Sequence, residues 1–103
     1  MENQLPKYNT LEYLKDDIEL QREYISELLT EYINDNNADA FLSALKPLIE
    51  LNGSISAFAR KSGINRTYFY KLFKKEVKPE FPTIVLIIKN LGFDLNFKLQ
   101  AHN

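Results

Sequence analysis

Apolar positions recur at helical spacing through most of this 103-residue chain, and at a spacing of two only near its end. Asn9-Thr10-Leu11-Glu12 carries a helix-start signal, a capping side chain followed three residues later by Glu. Asp16-Asp17-Ile18-Glu19 repeats it, so "LEYL" is expected as a short helix leading into a longer one. In the longer helix Ile18, Ile25, Leu28, Leu29 and Tyr32 form one apolar stripe. "NDNNADA" at 34–40 breaks the period and offers caps to a third helix, whose core face is Phe41, Leu45, Leu48 and Ile49. Pro47 is expected to bend that helix, and Asn52-Gly53 to close it. Two short helices follow, over about 54–62 and 65–74, and then a charged loop, "KEVKPEFP". A sixth helix, "PTIVLIIKNL", has Pro82 in its first turn and ends before Gly92.

The tail changes period. Phe93, Leu95, Phe97 and Leu99 alternate with Asp94, Asn96, Lys98 and Gln100, the pattern of a half-buried β-strand. A lone strand leaves its backbone donors and acceptors unpaired, and nothing else in the chain reads as a strand. The pattern therefore predicts a two-stranded ribbon across a dimer axis, with an edge strand added to a partner's sheet as the alternative. Three segments result: an acidic helical segment over 1–36 packed on the core, a helical core over 37–92, and a dimerisation strand and tail over 93–103.

Charge divides the chain. Residues 1–52 carry four Lys/Arg against eleven Asp/Glu; residues 53–103 carry nine against three. The net charge of −1 thus conceals an acidic front of −7 and a basic back of +6, and each end invites a different partner. Glu19, Glu23, Glu27 and Glu31 form a ridge of like charges four apart. Such pairs cost a few tenths of a kcal/mol each, so the ridge is either tolerated or used to meet a basic partner.

The basic half coincides with the pair of short helices, "AFARKSGINRTYFYKLFKK". A DNA-binding helix-turn-helix needs a small residue in its first helix, a Gly at the turn, an apolar plug and a cap opening the second helix. Ala59, Gly63, Ile64 and Asn65 fill those places, with Phe58, Phe69, Leu72 and Phe73 facing inward. The outward residues Arg66, Thr67, Tyr70 and Lys71 are the expected base readers; Arg bonds a guanine edge bidentately. Arg60, Lys61, Asn65, Lys74, Lys75 and Lys78 are placed to hold phosphates, which fixes register without reading sequence. Helix-Gly-helix corners also occur in ordinary helical cores; the basic bias and the outward polar set favour DNA.

"ISAFARKSGINRTYFYKLF" also resembles the helix-turn-helix of Xre-like, phage-repressor-like proteins. More narrowly, the chain is similar to antidote proteins of addiction modules, the antitoxins of RelE/ParE-like toxins. Ala59 to Arg66, Phe69-Tyr70-Lys71, Phe81-Pro82-Thr83 and Leu91-Gly92 carry the likeness, and "EYL", the acidic helix and "DAFLSAL" extend it over about 10–100. Two positions depart: Ala57 stands where the family usually has Gln, and Pro82 where a polar cap is usual. The first implies weaker DNA anchoring, the second an altered start to the sixth helix. The resemblance implies a mainly α, phage-repressor-like bundle of five to six helices that binds a palindromic operator as a homodimer. It also implies autorepression and the silencing of a cognate toxin by direct binding. The acidic face (Glu19, Glu23, Glu27, Glu31 and Asp35) suits such a partner by charge, an inference separate from the resemblance. The C-terminal ribbon is the other candidate toxin surface.

The competing readings are weaker. Catalysis has little to build on: no cysteine, a single histidine (His102) beside the end, and three glycines that all sit at helix ends. No cofactor or metal is expected. Tyr68 and Tyr70 are the only candidates for stacking on single-stranded nucleic acid. A stand-alone repressor without a toxin is the main alternative, and an interaction module without DNA binding the third. "TIVLII" at 83–88 is far shorter than the roughly 20 residues of a membrane span, and "MENQLPKYNTLEY" lacks the basic start and apolar stretch of a signal peptide. A cytoplasmic location with no membrane partner is therefore expected.

Overall fold

Capping side chains set most of the helix boundaries. In the computed structural model, which describes residues 9–51 and 53–102, the elements are six helices in chain order. They are α1 (Asn9–Leu14), α2 (Ile18–Asp35), α3 (Ala38–Leu51), α4 (Ile55–Ser62), α5 (Arg66–Phe73) and α6 (Phe81–Asn90). The side chains of Asn9 and Thr10, expected to cap α1, lie outside the described residues, as does Asn52. Asp16 turns the chain with a φ of 64°, and Asp17 then caps α2 by accepting from the Leu20 amide at 3.0 Å. Asn36, left-handed at φ 57°, ends α2, and Asn37 opens α3 by accepting from the Ala40 amide at 3.0 Å. The third helix runs through Pro47 to Leu51.

The centre of the fold is α3, which touches α1, α2, α4 and α5. Phe41, Leu45, Leu48 and Ile49 are buried as its period requires, with Leu42 beside them. Two contacts hold α2 against it: Tyr32 stacks on Phe41 at 5.1 Å, and the Tyr24 hydroxyl donates to the Ala44 carbonyl at 2.7 Å. The inward face of α2 is Leu20, Tyr24, Ile25, Leu28, Leu29 and Tyr32. Ile18, expected in that stripe, is exposed, because it stands at the helix start, before the helix settles on α3. Glu80 caps α6 without a side-chain bond, and Pro82 occupies its first turn. Ile84, Ile87 and Ile88 are buried, and α6 packs on α4. Burying each such side chain contributes about 1.5–3 kcal/mol. No described helix is long and apolar enough to cross a membrane.

The C-terminal expectation needs correction. Among the described residues there is no strand, and 93–102 form no regular element. Phe93 and Leu95 pack partly buried against the core, with Asp94 and Asn96 outward. Phe97 is exposed and meets the Phe81 ring at 5.8 Å, while Leu99 is fully exposed. Alternation records only that every second side chain turns inward. An extended segment lying on a helical core produces it as well as a ladder does. Of the four expected strand residues, Phe93 and Leu95 thus pack on the core, Phe97 and Leu99 do not, and none lies in a strand among the described residues.

Candidate nucleic-acid interface

The corner between α4 and α5 is built from side chains that each close one backbone group. Ser54 opens α4 by accepting from the Ala57 amide at 3.0 Å. Ser62, buried at its last position, donates to the Phe58 carbonyl at 2.6 Å. Gly63 takes a φ of 77°, so the Ile64 amide reaches the Ala59 carbonyl at 3.1 Å. Asn65 then caps α5, its side-chain oxygen accepting from the Tyr68 amide at 3.0 Å.

Ala59, fully buried, lets the two helices approach. Phe58 and Phe69 stack across them at 5.9 Å, and Phe73 meets Phe69 edge-on at 5.1 Å. With Phe58, Phe69 and Leu72 buried, α5 has no freedom to rotate its outer face away from solvent.

That face holds the expected readers. Arg66, Thr67, Tyr70 and Lys71 are all exposed and share one shallow concavity with Lys74. Arg60, Lys61, Asn65, Lys75 and Lys78 are exposed too, but lie outside it, on the end of α4, the turn and the segment after α5. Lys61 carries its ammonium 6.0 Å from the Phe58 ring centroid. Lys75 sits in a left-handed turn at φ 66°.

Two lining residues were not anticipated. Ser56, in the first turn of α4, accepts from Arg66 Nη1 at 3.3 Å and from the Tyr70 hydroxyl at 3.5 Å. Glu76 brings a carboxylate into the basic surface. No periodicity links positions 56 and 66, ten apart on different helices. The only available signal for Ser56 was its place next to Ala57 at the start of the motif's first helix. Ala57 itself is half-buried.

The acidic candidates lie elsewhere. Glu19, Glu23, Glu27, Glu31 and Asp35 are exposed along α2. Among the described residues Glu19 alone of these forms an ion pair, with Arg22 at 2.8 Å, and it holds the guanidinium pKa above its ordinary value. No group of His, Asp and Glu suited to a metal ion occurs among the described residues.

A family model described as "probable addiction module antidote protein" matches residues 4–99. A protein of Haemophilus influenzae, itself described as uncharacterised, is 32% identical over 100 residues, 97% of this chain and 95% of its own. No solved structure matches.

Proposed function

We propose a function on the premise that the chain belongs to the family of probable addiction module antidote proteins. It is a DNA-binding antitoxin of the Xre-like kind. As a homodimer it binds an operator in its own promoter through α4 and α5, represses that operon, and silences a cognate RelE/ParE-like toxin by direct contact. The observation that carries the DNA reading is the outer face of α5, where Arg66, Thr67, Tyr70 and Lys71 converge on one concavity. A helix so presented enters a major groove, where an Arg and neighbouring polar side chains meet base edges. Arg60, Lys61, Asn65, Lys74, Lys75 and Lys78 then hold phosphates on either side.

The toxin side rests on charge. Five exposed carboxylates along α2 face solvent, and a basic partner is drawn to such a surface. Tagged co-expression with the product of the adjacent reading frame, together with footprinting of the chain's own promoter, tests both halves. The expected result is a stoichiometric complex that relieves toxicity, and two protected half-sites about one helical turn apart. Protection of the operator with no captured toxin would leave a stand-alone repressor. Absence of both operator protection and a captured toxin would overturn the reading.

A further inference from the structure

One groove on the acidic side has an apolar floor. Tyr13, Leu20, Tyr24 and Leu28 line it from α1 and α2. Tyr24 is a fixed wall, because its hydroxyl is engaged by the Ala44 carbonyl at 2.7 Å. Tyr13 is about half exposed, leaving an aromatic face in water at the groove's edge.

Carboxylates stand along this floor. Glu23, Glu27 and Glu31 contribute to the lining, and among the described residues no Lys or Arg does. None of the three has an ion pair among the described residues, whereas Glu19 lies outside the groove and is already paired with Arg22. Each step of four residues along α2 advances the ridge by about 6 Å, so the three carboxylates span about 12 Å. That is the spacing at which a second helix presents side chains at i, i+4 and i+8. An apolar seam beside a row of exposed acids is complementary to an amphipathic helix whose apolar stripe is edged by Lys or Arg. A nucleic acid is repelled by the same row.

We propose that this groove seats a basic amphipathic helix of the cognate toxin, which rests on the antitoxin reading above. Glu23, Glu27 and Glu31 pair with its cations, Tyr13, Leu20, Tyr24 and Leu28 take its apolar side chains, and Glu19 stays with Arg22. The acidic ridge is thereby divided into three residues that select the partner and one that does not.

The full chain and the product of the adjacent reading frame are titrated by calorimetry, with operator binding as the check that each variant is folded. The double variant Glu27→Lys, Glu31→Lys is expected to weaken binding by about 100-fold or more. Tyr13→Ser is expected to lose about 10-fold, a loss that persists at high salt because it is not electrostatic. Glu50→Lys, an exposed position on α3 away from the groove, should stay within about threefold. If the wild-type chain binds that product and the double variant binds it equally well, the groove assignment falls while the antitoxin reading stands. If the wild-type chain does not bind, both fall. If the double variant instead breaks up a self-association seen by light scattering without the toxin, the occupant is a second copy and the proposal is overturned.

Discussion

Arg66, the first residue of α5, donates through Nη1 to the hydroxyl of Ser56 on α4 at 3.3 Å. Tyr70, one turn further along α5, brings its hydroxyl to the same oxygen at 3.5 Å. A single small side chain therefore holds two of the residues expected to read bases. The bonds are long and exposed, so they orient Arg66 without locking it. Arg66→Ala is expected to cost about 1–3 kcal/mol on the operator and to relax sequence preference. Ser56→Ala removes only the orientation and should cost no more than about 1 kcal/mol. Fluorescence anisotropy on operator and random duplexes separates the two. Equal losses on both duplexes for Arg66→Ala would remove it from the readers.

Lys75 lies beyond α5 and outside the concavity that holds Arg66, at a position expected to meet a phosphate. Lys75→Ala should weaken all DNA sequences alike. It should also lower the slope of log affinity against log salt by about one, the signature of one lost phosphate contact. An unchanged slope would place Lys75 away from the DNA.

Gly63 adopts φ 77°, and a Cβ built there meets nothing within 4 Å. The penalty for a side chain is therefore in the backbone alone. Gly63→Ala should destabilise the fold by about 1 kcal/mol, lowering Tm by about 4–8 °C in a domain of this size. Gly63→Asn should lose less, since Asn tolerates the left-handed region. Thermal unfolding by circular dichroism measures both, and a loss for Asn as large as for Ala would contradict this account of the turn.

Partial burial raises the pKa of Tyr24 above its ordinary value by desolvating the phenolate. The folded state thus holds this proton more tightly than the unfolded chain does. Its stabilising effect is complete below the unfolded tyrosine pKa of about 10, and is lost as pH rises through the higher folded value. Urea unfolding at pH 7 to 11 should show stability falling only at the alkaline end. Tyr24→Phe should reduce that fall, while costing about 0.5–1.5 kcal/mol at neutral pH for the lost bond to Ala44. A neutral-pH loss with an unchanged alkaline limb would assign the titration to another tyrosine.

The corner between α4 and α5 was legible because its signals are local. Ser54, Gly63 and Asn65 each act on backbone groups within a few residues, and the observed ends of α4 and α5 fall within one residue of those expected. Inward Phe58, Phe69 and Leu72 follow from period alone. Ile18 failed because periodicity assigns a face to a helix without saying how far along its length a neighbour reaches. The tail failed for a related reason. A spacing of two describes side-chain direction, whereas a strand is defined by a hydrogen-bonded neighbour that this chain does not contain among its described residues.

What the chain determined by itself is therefore everything governed by near neighbours: six helices, the caps at Asp17, Asn37, Ser54 and Asn65, the turn at Gly63, and the division into an acidic front and a basic back. Tertiary structure decided which distant residues meet. It brought Ser56 to Arg66 across the corner, laid Phe93 and Leu95 on the core, and set Tyr13 beside Leu20 and Leu28 under a row of carboxylates. Those pairings depend on how helices pack around α3. Packing is a property of complementary surfaces in three dimensions, and no spacing along one helix encodes it.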